Sequence, residues 1–176
     1  MTPAANNIPF DFNETLQAMA QALGNLLQQR HIDPNNLTIV GIRTGGVWVA
    51  ERLHAILQLP TPLGYLDISF YRDDFTKLGF NPEVKPSHLP LGLNDRHIIL
   101  VDDVLHTGRT IRAALNELFD YGRPASILLA VLIKRSGQEL PIEPNVVGQF
   151  MDLSEGEQIK LLGPDPLQLA LVKTRK

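Results

Sequence analysis

The sequence predicts one α/β domain built on a mostly parallel sheet, and three observations predict it. Three apolar runs rich in Ile, Leu and Val, Leu37–Ile42 and residues 98–101 and 125–133, each read as a strand buried on both faces. The first two lead directly into a polar loop bearing Gly or Asp and then into residues at helical spacing, which is the strand–loop–helix alternation of a parallel sheet. The length of 176 residues suits a single domain of this kind.

Taken in order, residues 1–12 are rich in Asn and Pro and read as an arm lying on the surface or across a partner. Asn13 is placed to cap a helix whose Leu16, Met19, Ala20, Leu23, Leu26 and Leu27 share one face. That face is read as packing on the domain's own sheet, with a dimer contact as the alternative. Asp33-Pro34-Asn35-Asn36 makes a turn into the strand Leu37–Ile42. The strand ends in Arg43-Thr44-Gly45-Gly46, and a helix follows over residues 47–57. Glycines let a backbone aim its N–H groups at an anion, and Arg43 could add charge-assisted bonds; a plain turn is the other reading of the same four residues. Residues 64–71 alternate as a strand does and lead into Arg72-Asp73-Asp74. From there to residue 95 the chain has three prolines and little periodicity, and a connection this long is a functional lid or disordered. Gly122 is placed as the C-cap of the central helix, with Arg123-Pro124 to stop it. Residues 125–133 form another central strand, and residues 159–172, broken by Gly163-Pro164-Asp165-Pro166, read as a hairpin.

The chemistry concentrates at residues 98–110. Ile98-Ile99-Leu100-Val101 runs into Asp102-Asp103, then Val104-Leu105-His106-Thr107-Gly108-Arg109-Thr110, and a helix continues over residues 111–119. In open α/β sheets ligands bind at this carboxyl edge, where the amides of a helix start favour an anion. The hydroxyls of Thr107 and Thr110 add donors to that nest, so a phosphate suits it. Two adjacent carboxylates suit vicinal hydroxyls or a divalent metal instead. A phosphate beside hydroxyls describes a ribose 5-phosphate. The loop lacks the Gly-Lys-Ser/Thr of nucleotide triphosphatases and the three glycines of dinucleotide sites.

The stretch from Val101 to Thr110 resembles the phosphoribosyl pyrophosphate (PRPP) loop of type I phosphoribosyltransferases. Over about residues 39–150 the chain is similar to the PyrR type, the pyrimidine operon regulator and uracil phosphoribosyltransferase family. The resemblance implies the type I phosphoribosyltransferase fold over residues 1–176: a central, mostly parallel sheet flanked by helices, a flexible lid at about 71–95, and a hood at about 134–150 completed by the C-terminal hairpin. It implies transfer of the phosphoribosyl group to uracil, giving UMP and pyrophosphate, with Mg2+. Asp102 and Asp103 would hold the ribose, and Val104, Leu105, His106, Thr107, Gly108, Arg109 and Thr110 the 5-phosphate. Arg43, Thr44 and Gly45 would meet the leaving pyrophosphate together with Arg72. Asp73, Asp74, Asp102 and Asp103 would be the metal candidates. Lys134, Arg135, Val146 and Val147 would belong to the hood over the base.

The chain departs from that pattern in places. The family's pyrophosphate loop is usually Lys-Thr-Arg-Gly, whereas Gly45 stands third here and Arg43 first. Asp-Arg-Gly is usual where Lys134-Arg135-Ser136 stands, and Arg where Glu143 stands. A Lys after this strand resembles the donor to a six-oxopurine carbonyl in purine salvage enzymes; a solvated strand-end charge is the plainer reading. Purine base transfer, and a nucleotide- or RNA-binding regulator without turnover, are therefore the rival functions. His106 could stack on the base, trade a proton, or have no chemical role.

Composition bounds the rest. With no cysteine there is no disulfide, thiol nucleophile or thiolate metal site. Sixteen Lys and Arg against nineteen Asp and Glu give a net charge of −3, which argues against a general polyanion binder: DNA is not expected, and RNA is not favoured. No stretch has membrane-span length and the first ten residues lack a signal pattern, so a cytoplasmic protein is expected, as a homo-oligomer, dimer or tetramer.

Overall fold

The computed structural model describes residues 5–69 and 87–173. Its elements are β1 (Ala5–Ile8), α1 (Phe12–Gln29), β2 (Leu37–Ile42), α2 (Gly45–Leu57), β3 (Gly64–Leu66), β4 (His97–Leu105), α3 (Arg109–Asp120), β5 (Ser126–Arg135), β6 (Val146–Met151), β7 (Glu157–Leu162) and β8 (Gln168–Lys173). Five strands form a parallel sheet in the order β3-β2-β4-β5-β6. A smaller antiparallel sheet has the order β1-β8-β7.

Alternation along the central strands builds two cores. Ile39, Ile99, Val101, Leu128 and Ala130 meet Leu23 of α1 and Val49 and Leu53 of α2. Val40, Ile42, Ile98, Leu100, Leu129 and Val131 meet Ile111, Ala114 and Leu118 of α3. Both faces of the sheet are covered, which explains why these strands are apolar throughout rather than alternating. Each fully buried leucine such as Leu23, Leu53 or Leu118 stabilises the fold by about 1.5–3 kcal/mol. The apolar face of α1 packs on the sheet of its own domain, as expected.

The boundaries differ from the sequence reading in ways that have physical reasons. Helix α1 is capped by Asp11, whose Oδ1 accepts the Glu14 amide at 2.9 Å, two residues before Asn13. Part of the expected arm is a strand, because residues 5–8 hydrogen-bond along β8 from Ala5↔Val172 to Ile8↔Leu169. Strand β3 stops at Leu66, since the Asp67 carboxylate takes the Ser69 amide in an Asx-type turn. Residues 146–150, expected in the hood, are strand β6 at the edge of the main sheet. The expected C-terminal hairpin is present as β7 and β8. The expected lid at 71–95 lies largely outside the described residues. Among the described residues no helix is long and apolar enough to cross a membrane.

The strand order sets the site. From β2 the chain steps to β3 on one side, then crosses to β4 on the other, so the switch point lies between the carboxyl ends of β2 and β4. Open α/β sheets bind ligands at such a point.

Candidate active site

Two loops converge there. Strand β4 continues through Asp102 and Asp103 to Leu105, so the acid pair sits in the strand and not in the loop after it. Asp102 is buried, and its Oδ1 accepts the Asp103 amide at 2.9 Å. Asp103 Oδ1 accepts the Val104 amide at 2.8 Å. These bonds fix the rotamers of both carboxylates. Val104 packs on one core and Leu105, 2% exposed, lies in the other, so their side chains face the cores.

From β2 comes the second loop, and glycine lets it approach. A Cβ on Gly45 would overlap the Asp103 carboxylate, 2.7 Å from its carbon, and one on Gly46 would lie 2.6 Å from the Val101 carbonyl oxygen. The backbone starting α2 therefore lies directly against the acid pair, and a side chain at position 45 would require the Asp103 carboxylate to shift. Thr44 is exposed at the N-cap of α2, with no side-chain capping bond of its own. The Arg43 amide donates to the Leu66 carbonyl at 2.9 Å.

His106, Thr107 and Gly108, from the expected phosphate loop, connect β4 to α3. Gly108 caps α3 at φ +92°, a left-handed conformation that suits glycine. Arg109 and Thr110 are the first residues of α3, and the Arg109 amide donates to Thr107 Oγ1 at 3.2 Å.

A connection from β5 to β6 straps this loop down. The amides of Glu139 and Leu140 both donate to the Thr107 carbonyl at 3.0 Å. Arg109 Nε pairs with Glu139 Oε2 at 2.8 Å. Gln138 Nε2 donates to the carbonyls of Leu140 and Ile142, shaping the strap. Lys134 Nζ donates to Glu143 Oε2 at 2.5 Å, and that bond, more than burial opposes it, lowers the Glu143 pKa. The His106 ring lies against Gly137, whose own φ is +103°. Burial, and then the charge of Arg135, lower the His106 pKa below 6.5 against an opposing pull from Glu139.

Three expected hood residues take other places. Arg135 Nη1 donates to the Glu157 carbonyl at 3.1 Å and so ties β5 to the small sheet. Val146 is buried in the core with α1 and α2, and Val147 packs on the core with α3. Both valines lie on β6, a strand of the main sheet. Arg72, Asp73 and Asp74 lie outside the described residues. Gln138, Glu139 and Gly137 were not singled out as site residues, and only the left-handed glycine is a local signal for the strap.

For a metal, the described residues contain no cluster of three potential ligands. A pair of carboxylates beside a phosphate site does fit Mg2+, which is commonly held by one or two carboxylates and by substrate oxygens.

A switch-point acid pair, a glycine-opened anion loop and a phosphate nest define a phosphoribosyl-binding enzyme, and the comparisons agree on the class. The family described as Phosphoribosyl transferase domain matches residues 13–158. In fold, the chain is similar to a ternary substrates complex of hypoxanthine phosphoribosyltransferase from Trypanosoma cruzi, with a TM-score of 0.70 at 19% identity over 97% of this chain and 96% of that one. It is also similar to a purine phosphoribosyltransferase from Pyrococcus horikoshii, with a TM-score of 0.58 at 26% identity over 83% and 87%. Among curated relatives, the Bifunctional protein PyrR of Nitrosococcus oceani is 55% identical over 94% of this chain and 96% of its own length. That of Pseudomonas syringae pv. tomato is 55% identical over 90% and 92%. The chain belongs to the PyrR-type family of type I phosphoribosyltransferases, pyrimidine operon regulators with uracil phosphoribosyltransferase activity.

Proposed function

We propose that this chain converts uracil and PRPP to UMP and pyrophosphate. The observation that carries the reading is the packing of the Gly45 backbone on the Asp103 carboxylate, which sets an anion loop and a hydroxyl-binding pair on either side of one point. In the reaction N1 of uracil bonds to the anomeric carbon, the bond from that carbon to the pyrophosphate oxygen breaks, and the N1 proton is lost. The residues around Thr107 to Thr110 hold the 5-phosphate, and Asp102 and Asp103 hold the ribose hydroxyls and favour positive charge developing on the sugar. Arg43, Thr44 and Gly45 receive the pyrophosphate, with Arg72 assigned the same role. Asp102 and Asp103, with Asp73 and Asp74 as further candidates, would hold Mg2+, which would supply positive charge for the leaving group.

Uracil is favoured over a purine by one contact. The ammonium of Lys134, the residue that suggests a purine, is drawn toward Glu143, so a purine carbonyl would compete with that ion pair for it. Turnover is supported over binding alone by the complete acid pair, with Asp102 buried and the α2 start set directly against Asp103. The name Bifunctional borne by the relatives supports a second, regulatory role that responds to pyrimidine nucleotides. An RNA partner is the weaker part of that role, given nineteen acidic against sixteen basic residues. PRPP as substrate and the absence of cysteine support a cytoplasmic setting. Phe119, Tyr121 and Phe150, all at least half exposed, offer apolar surface for a homo-oligomer, dimer or tetramer.

The test is pyrophosphate release from PRPP and Mg2+ with uracil, hypoxanthine or guanine supplied separately. Release with uracil alone is expected. Release only with a purine would move the function to purine transfer, and release with none would leave the regulator.

A further inference from the structure

Arg43 is held in place by an unusual partner. Its guanidinium carbon lies 5.2 Å from the centroid of the Tyr65 ring, over the ring's face. Among the described residues no carboxylate pairs with it. Its Nε is buried and has no hydrogen-bond partner. A buried donor without an acceptor is costly, while Arg43 as a whole is only partly buried, which leaves the outer part of its side chain for an anionic ligand.

Tyr65 is in turn fixed from both sides. On one edge it lies in parallel register with Gly41 of β2. On the other its amide donates to the His88 carbonyl at 2.7 Å and its carbonyl accepts the His88 amide at 2.8 Å. The two rings are 6.4 Å apart, tilted by 32°. Strand β3 has three residues and would be a weak platform alone; the bridge to His88 steadies it.

We propose that Tyr65 is a positioning residue that aims Arg43 at the leaving pyrophosphate, an inference that rests on the phosphoribosyltransferase reading. The chemistry favours an aromatic face over a carboxylate here. A carboxylate would occupy guanidinium donors and neutralise their charge, whereas the ring attracts the cation through its quadrupole and leaves the N–H groups for the anion. Arg43 is thereby oriented before the ligand arrives, so less is lost in ordering it on binding.

The probe is inorganic pyrophosphate with Mg2+, its binding measured by calorimetry alongside steady-state kinetics. Tyr65→Leu is expected to weaken pyrophosphate binding and raise KM for PRPP about five-fold, in the range of a partly desolvated cation–π contact, with KM for uracil unchanged. Tyr65→Phe is expected to restore both constants to about two-fold of wild type, because the ring face remains. In an Arg43→Ala background Tyr65→Leu adds nothing further, which a merely structural role would not produce. Should Tyr65→Leu fail to fold, phenylalanines of increasing fluorination at position 65 keep the ring shape while draining its face, and pyrophosphate binding must weaken step by step. Unchanged pyrophosphate binding in Tyr65→Leu, an equal effect in both backgrounds, or a flat fluorination series overturns the proposal. If the wild type binds pyrophosphate but transfers to no base, the functional reading fails while the role of Tyr65 is still measured by pyrophosphate binding.

Discussion

A methyl group at position 45 has nowhere to go but into the Asp103 carboxylate. Gly45→Ala must therefore move either the α2 start or the acid. Overpacking of this kind costs about 1–3 kcal/mol, and a displaced reacting group can cost about 10²-fold in rate. The expected outcome is a melting point only modestly lower, with kcat/KM for PRPP down about 10²-fold. Wild-type kinetics in Gly45→Ala would mean that the Asp103 contact is not part of the site. His106 offers a second test at this scale. Its pKa is lowered by burial first and by Arg135 second, while Glu139 raises it. The unfolded chain thus binds this proton more readily than the native state, so the group's contribution to stability rises with pH through the window below 6.5. In an NMR titration the His106 midpoint is expected below 6.5, moving up in Arg135→Gln and down in Glu139→Gln. A midpoint that ignores both substitutions would show that neither charge reaches the ring.

At the scale of elements, what could be read from sequence was whatever is set locally. Apolar runs buried on both faces stand out in any composition, so Leu37–Ile42 is β2 residue for residue. The acid pair and the Thr-Gly turn stand out without any tertiary information. What stayed hidden depends on partners distant in the chain. Two aspartates look like the end of a strand, yet β4 carries them because β5 continues alongside, pairing Asp102 with Val131 and Leu105 with Lys134. Lys134 looks like a solvated end, but its counter-charge is nine residues on, across the strap. The four residues of β1 have no apolar pattern, and their partner in β8 is more than 160 residues away. Strand β6 reads poorly because its outer half is exposed at an edge. The strap itself is an element without secondary structure. Its fixed points are backbone amides on the Thr107 carbonyl, which side-chain identity does not reveal.

Over the whole molecule, the binding machinery and the small sheet are separate constructions joined by a few bonds. Asp102, Gly45 and Thr107 all depend on the parallel sheet and its switch point, whereas β1, β8 and β7 close over the core that holds α1 and α2. Arg135 on the Glu157 carbonyl and Arg52 on the Pro164 carbonyl tie the two together. Strand β1 is bound only along β8, and Ile8 packs on the shared core. Removing residues 1–8 strips β8 of that neighbour. A few backbone hydrogen bonds at about 1 kcal/mol each, with the packing of Ile8, give a loss of several kcal/mol at most. For a chain of this size each kcal/mol shifts the melting point by about 2–4 °C, so the truncated protein is expected to melt about 5–10 °C lower. Its KM for PRPP at 25 °C is expected to stay within about two-fold of the full chain, because β1 pairs along β8 of the small sheet whereas the acid pair and the Arg109 turn belong to β4 and the start of α3. A lowered melting point with intact kinetics would place the chain end in stability alone. A raised KM for PRPP would instead mean that the small sheet helps to set the position of the strap through Arg135, and that the two constructions are coupled.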